Sequence, residues 1–184
     1  MTPIEFHCRT PEETFLLGEK ISKHLRAGDI ILLYGDLGSG KTTFVQGVCR
    51  GLELPKEFPV RSPTFTLINE YQAKHMINHI DLYRLESMEE IENLGLEEYL
   101  FGDGITLVEW SEKLKVPRSI KPSVRSGSIS PPKNSKEVST NELNPFQVNS
   151  YLEIEIILKS DELRNINIVP INLGERNWPN SALQ

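Results

Sequence analysis

The chain has 184 residues, of which 38% are hydrophobic and 25% are charged. These values predict one globular domain over residues 1–184 and exclude a second full domain. The net charge of −6 disfavours a protein that binds a polyanion on its own. Two cysteines, no signal pattern and no long apolar run together predict a cytoplasmic protein that does not contact a membrane.

The first third of the chain alternates predicted strands and helices. Residues 4–9 are predicted to form a short first strand, and Thr10 begins a capping box for a helix expected to run to about Arg26. The apolar run Ile30–Tyr34 predicts a buried strand. Apolar residues at helical spacing then predict a second helix that ends near Gly51.

A glycine-rich loop joins this buried strand to the second helix. Residues 35–42 read Gly-Asp-Leu-Gly-Ser-Gly-Lys-Thr. Glycines allow consecutive backbone N–H groups to surround an anion, and the helix that follows adds its positive N-terminus. In this pattern Lys41 reaches the terminal phosphates and Thr42 ligates magnesium. The loop therefore predicts a nucleoside triphosphate site.

The rest of the chain adds five predicted strands. Residues 64–71 and 76–81 alternate apolar and polar side chains, which is typical of a hairpin. Ser87 opens a capping box for a helical stretch that breaks at Gly95. A buried strand is expected at residues 105–110, and a terminal hairpin at 151–158 and 166–171. Strands alternating with helices indicate the α/β class.

Two acidic residues are candidates for the chemistry beside the loop. A P-loop site needs a carboxylate at the end of a neighbouring strand. Glu109 ends the more apolar strand and is the better metal-side candidate, whereas Asp81 is a candidate to orient a water or act through the metal on Thr42. Thr64 lies where phosphate-sensing switch loops occur. For each carboxylate the alternative is a turn cap, and for Thr64 it is a plain Ser-Pro turn.

Several P-loop classes lack their signatures in this chain. No Asn-Lys-x-Asp sequence is present to read guanine, and no Leu-Ser-Gly-Gly sequence is present, so a regulatory GTPase and an ABC-type ATPase are disfavoured. A small-molecule kinase with an arginine-bearing lid stays open as an alternative. A nucleotide-binding adaptor without turnover is the non-enzymatic alternative.

Residues 113–136 differ in composition from the rest of the chain. They hold seven Lys or Arg, no Asp or Glu, six Ser and four Pro. Such a composition predicts a disordered basic insertion, placed at about residues 115–149. It is interpreted either as a solvated insertion or as an electrostatic tether for RNA or an acidic partner.

Four motifs together resemble the TsaE (YjeE) family over about residues 4–114. They are the loop and helix start at 35–44, Ser-Pro-Thr-Phe at 62–65, His-Ile-Asp-Leu-Tyr-Arg at 79–84, and Val-Glu-Trp at 108–110. The resemblance implies an α/β, P-loop NTPase-like three-layer fold with a mixed, mainly parallel central sheet and a terminal antiparallel hairpin. It also implies an ATPase that uses ATP and Mg²⁺ and supports TsaB and TsaD homologues. Those partners form threonylcarbamoyladenosine in the anticodon loop of tRNA, which the chain would reach only through the complex.

The resemblance also assigns site residues. Lys41, Asp81 and Glu109 would be catalytic, and Thr42 and Glu109 would hold magnesium. Arg84 is a candidate to act on the transition state; otherwise a partner completes the site and the isolated chain hydrolyses ATP slowly. The resemblance implies that nucleotide is bound by Thr10, Gly38, Ser39, Gly40, Lys41, Thr42 and Thr43. Thr64 is predicted to bind it from its position in the switch-like loop.

Overall fold

A seven-stranded sheet with helices on both faces organises the chain. The structure is a computed structural model that describes residues 3–120, 146–160 and 163–179. The strands are β1 (Ile4–Cys8), β2 (Ile30–Tyr34), β3 (Ile68–Gln72), β4 (Met76–Asp81), β5 (Ile105–Glu109), β6 (Tyr151–Leu158) and β7 (Arg164–Ile171). The helices are α1 (Pro11–Ser22), α2 (Lys41–Gly51), α3 (Met88–Glu92) and α4 (Leu96–Leu100), and a 3₁₀ turn covers Ser111–Leu114.

The strand order is β1-β7-β6-β2-β5-β4-β3. The four central strands β6, β2, β5 and β4 run parallel, whereas β3 at one edge and the β6–β7–β1 ribbon at the other pair antiparallel. The predicted α/β fold, mixed sheet and terminal hairpin are therefore confirmed. Since β2, β4 and β5 are parallel, their carboxyl ends lie side by side at the same end of the sheet.

Two apolar cores cover the two faces of the sheet. Alternate residues of β2 point to opposite faces: Ile31 and Leu33 join the core beneath α1 and α2, and Leu32 joins the core beneath α3 and α4. All five residues of β2 and all five of β5 are buried, as expected for central parallel strands. This gives the three layers that the sequence predicts.

Close contact between α1 and α2 sets the position of the loop that precedes α2. A Cβ atom at Gly47 would lie 1.9 Å from the carbonyl oxygen of Phe15, and one at Gly18 would lie 2.3 Å from that of Phe44. Only glycine permits this backbone approach. Close packing on α1 therefore restrains α2, which follows the glycine-rich loop.

The structure corrects the bounds of two predicted elements near the site. β3 begins at Ile68 rather than Thr64, because Leu67 has a left-handed φ of 66° and its amide donates to the carbonyl of Pro63. Thr64 therefore belongs to a turn. β5 ends at Glu109 rather than Trp110, because Trp110 is also left-handed, with a φ of 61°.

The first helix is shorter than predicted. It ends at Ser22 instead of about Arg26. The amides of His24 and Leu25 donate to carbonyls three residues earlier, so the chain tightens into turns after Ser22.

The ends of the predicted basic insertion are packed. Arg118 pairs with Glu153 and Glu155 on β6, at 3.2 and 3.0 Å. Val116, Phe146 and Val148 from these ends are buried in the core on the α3 and α4 side, and Ile120 is buried as well. Residues 115–120 and 146–149 are thus part of the folded domain, because their apolar side chains are buried. The prediction for residues 121–145 lies outside the described residues.

No helix among the described residues is long and apolar enough to cross a membrane.

Candidate functional site

A cleft of about 350 Å³ lies at the carboxyl ends of β2, β4 and β5. It brings together residues from four separate segments of the chain. Eight of the predicted site residues line it: Gly38, Gly40, Lys41, Thr42, Thr43, Thr64, Asp81 and Glu109. Ser62, Tyr83 and Trp110 contribute to the same wall.

The loop between β2 and α2 has the backbone conformation of an anion cradle. Gly38 and Gly40 have φ values of 75° and 110°, which a residue with a side chain rarely adopts. Gly40 is the residue before the helix and caps it with no side chain. The first backbone N–H groups of α2 have no partner within the helix, so they are available to bind an anion at its N-terminus.

The Lys41 ammonium is held at the mouth of this loop. Its Nζ donates to the carbonyl oxygens of Gly35 and Asp36, at 2.8 and 3.0 Å. The same Nζ lies 3.9 Å from the centroid of the Trp110 ring. Burial lowers the pKa of Lys41 below its usual value, and the nearby carboxylates, Glu109 first, oppose this shift. Trp110 directly follows β5 and has a left-handed backbone.

The side chain of Glu109 connects α2 to the sheet. Its carboxylate is buried, with an exposed fraction of 3%. The Thr42 hydroxyl donates to Oε1 at 2.8 Å and lies 3.1 Å from Oε2. Nε2 of the fully buried His79 lies 2.9 Å from Oε1. The two residues predicted to share a metal ion are therefore in direct contact.

Asp81 holds the loop that precedes β3. Its Oδ2 accepts from the hydroxyls of Ser62 and Thr64, the latter at 2.8 Å, and the two hydroxyls are 2.7 Å apart. Its Oδ1 accepts from the amide of Tyr83 at 2.9 Å. The predicted switch residue Thr64 is thus tied to the predicted catalytic carboxylate.

Three predicted residues lie outside the lining of the cleft. Ser39 is buried, and its amide donates to Asp36 at 3.1 Å. Thr10 caps α1, where its hydroxyl oxygen accepts from the Glu13 amide at 3.1 Å. Arg84 is exposed, and its guanidinium carbon lies 4.6 Å from the centroid of the Phe65 ring. The roles of these three residues stay predictions.

Three further residues of this region had no role predicted from the sequence: Ser62 and His79, which lie within the motifs at 62–65 and 79–84, and Arg164. The signal for His79 was present, because residues 79 and 81 of one strand share a face. Ser62 lies two residues before Thr64 in the same short turn. Arg164 carried no local signal: it begins β7, and its Nε donates to the Ser39 carbonyl at 3.1 Å across 125 residues of sequence.

A larger groove, of about 1120 Å³, lies between β1, α1 and residues 177–179. Its lining includes Lys20, Lys23 and Trp178, but neither the glycine-rich loop nor the two strand-end carboxylates. The candidate chemistry therefore belongs to the smaller cleft.

A buried parallel strand, a glycine-rich loop ending in Lys41-Thr42 and a helix, with carboxylates from two neighbouring strands, define a P-loop α/β protein. Comparison with known proteins narrows this class. A family model described as threonylcarbamoyl adenosine biosynthesis protein TsaE matches residues 8–137. The chain belongs to the TsaE family, whose members act in tRNA threonylcarbamoyladenosine biosynthesis.

Individual relatives agree with this assignment. A tRNA threonylcarbamoyladenosine biosynthesis protein TsaE from a Nostoc species is 49% identical over 108 residues, 56% of this chain and 65% of the relative. The protein of the same name from Bacillus subtilis is 40% identical over 116 residues, 62% of this chain and 71% of the relative. A crystal structure of Bacillus subtilis YdiB superposes with a TM-score of 0.64 at 28% identity, covering 93% of this chain and 88% of the other.

Proposed function

We propose that this chain is an ATPase that binds and hydrolyses Mg-ATP in the cytoplasm. Its turnover supports TsaB and TsaD homologues in forming threonylcarbamoyladenosine on tRNA. The observation that carries the proposal is the contact between Thr42 and Glu109, which are 67 residues apart in sequence. Membership of the TsaE family supports a role in threonylcarbamoyladenosine synthesis. The geometry of the cleft supports the binding and hydrolysis of Mg-ATP.

The loop and Lys41 supply the phosphate site of this proposal. Backbone N–H groups at the start of α2 bind phosphate oxygens, as at other helix N-termini. Lys41 leaves its two carbonyl partners to meet the terminal phosphates, and the partly buried site strengthens that attraction. Thr43, in the first turn of α2, lies at the same wall of the cleft.

Thr42 and Glu109 fit a magnesium ion. A hydroxyl and a carboxylate are oxygen donors, and magnesium in nucleotide sites takes few protein ligands because phosphates and waters complete its shell. The two side chains already meet in the cleft, so both reach one position there. When bound, magnesium neutralises charge that develops on the transferred phosphoryl group.

Asp81 acts on the water that attacks the terminal phosphate. Its carboxylate lines the cleft together with Thr64 and Glu109 and accepts hydrogen bonds from two hydroxyl groups. We assign it the orientation of the attacking water, with the 62–64 turn as its support. Since Arg84 packs on Phe65, the proposal gives the transition-state arginine to a partner and expects slow turnover alone.

The test is ATP hydrolysis by the purified chain, alone and with the TsaB and TsaD homologues of the same organism. Strong stimulation by the pair, absent in Lys41→Ala, is the expected result. No hydrolysis under any condition, with ATP still bound, would make the chain an adaptor. Consumption of ATP only when a small metabolite is added would make it a kinase.

A further inference from the structure

A buried histidine contacts the proposed metal-side carboxylate from within the sheet. His79 has an exposed fraction of 0% and lies on β4, on the face that α1 and α2 cover. Its Nε2 is 2.9 Å from Glu109 Oε1. We propose that His79 is a positioning residue that fixes the orientation of the Glu109 carboxylate for ion binding; this inference rests on the proposed function.

Within the described residues, Glu109 is the one hydrogen-bonding partner of the imidazole. Nδ1 of His79 is buried and has no partner among the residues that the structure describes. Burying a polar ring is unfavourable unless its hydrogen bonds compensate, and an apolar side chain would fill the same space at lower cost. The polar function of His79 is therefore directed at Glu109. Facing a carboxylate oxygen, Nε2 is the donor.

The contacts to Glu109 are unequal, which gives the histidine a specific effect. Oε1 accepts from His79 at 2.9 Å and from Thr42 at 2.8 Å, whereas the described part of the chain gives Oε2 one contact, the longer one of 3.1 Å to Thr42. The last torsion of a glutamate side chain is broad and readily rotates. His79 restrains that rotation by holding Oε1, so Oε2 keeps its lone pairs free for an ion.

The test measures the affinity for ADP by calorimetry, once with magnesium and once with EDTA. Removing a hydrogen bond that orients a metal ligand typically lowers metal affinity about 10–100-fold. We expect magnesium to raise the ADP affinity of His79→Leu about 10–100-fold less than it raises that of wild type. The ADP affinity in EDTA should be unchanged. His75→Leu, on the same hairpin, is the control and should match wild type.

Two amide variants separate positioning from packing. His79→Gln places an amide N–H at about the reach of Nε2 and should restore most of the magnesium-dependent gain. His79→Asn has the same group but one methylene less, and it should not restore the gain. This pair also carries the test if His79→Leu fails to fold, which thermal unfolding will show.

The outcomes separate this inference from the proposed function. If wild-type affinity for ADP is the same with magnesium and with EDTA, the proposed metal site fails and the role of His79 fails with it. If wild type responds to magnesium and folded His79→Leu or His79→Asn responds equally, the imidazole only packs and the inference alone is overturned.

Discussion

Asp81 and Glu109 are partners in register on neighbouring parallel strands, yet they hold different parts of the cleft. Glu109 binds the first turn of α2 through Thr42 and the sheet through His79. Asp81 binds a turn through Ser62 and Thr64. The two carboxylates have equivalent positions at the ends of adjacent strands. They differ in the side chains that donate hydrogen bonds to them.

The difference is one between a rigid and a movable environment. Both partners of Glu109 belong to regular elements: Thr42 is half-buried in the first turn of α2, and His79 is fully buried on β4. The two hydroxyl partners of Asp81, Ser62 and Thr64, belong to a loop in which Phe65 is 84% exposed. Loops have fewer contacts to restrain them and open at lower free energy. We therefore expect Glu109 to position a fixed ion and Asp81 to follow the state of the loop.

The largest expected effect is on turnover in Glu109→Gln. The amide keeps the shape of the side chain but removes the charge that would bind magnesium, a loss of several kcal/mol of transition-state stabilisation. ATP hydrolysis in the presence of the partners should fall about 10³-fold, with ADP affinity in EDTA unchanged. The exposed Glu97, on α4 and outside the lining of the cleft, provides the control Glu97→Gln. Wild-type turnover in Glu109→Gln would contradict the assignment.

A smaller loss is expected for Asp81→Asn. Orientation of the water weakens, so turnover should fall about 10²-fold, while the magnesium dependence of ADP affinity stays as in wild type. Amide hydrogen exchange in residues 62–67 should become faster, because the loop loses its charged acceptor. Asp103→Asn, at an exposed acid, is the control. If exchange accelerates equally in Glu109→Gln, the two carboxylates do not hold separate parts of the cleft.

The smallest expected effect is a shift in the pKa of Lys41, which reports the charges of Glu109 and Asp81. Burial lowers the pKa of Lys41, and the carboxylate of Glu109 opposes this more than that of Asp81. Removing a nearby negative charge disfavours the ammonium, so both variants should lower the Lys41 pKa further, Glu109→Gln more than Asp81→Asn. Nuclear magnetic resonance titration of the labelled lysine, assigned with Lys41→Ala, measures the order. The reverse order would contradict the comparison.

Much of the fold and of the cleft lining was predictable because the signals are local. The buried runs of β2 and β5, the glycines of the loop and the capping box at Ser87 each act through neighbouring backbone. Local patterns failed where one residue left the extended conformation. Leu67 and Trp110 are left-handed, so β3 begins after Leu67 and β5 ends before Trp110, and both strands are shorter than predicted.

The strand, loop and helix of the P-loop and the acids at two strand ends can be read from the residues alone, because they depend on local backbone conformation and periodicity. The contacts of Glu109 with Thr42 and His79, of Asp81 with the 62–64 turn, and of Arg164 with Ser39 arise only in the folded chain. Those contacts depend on which strands neighbour each other and in what register. Strand neighbours and register follow from packing the whole sheet, so no local stretch of residues specifies them.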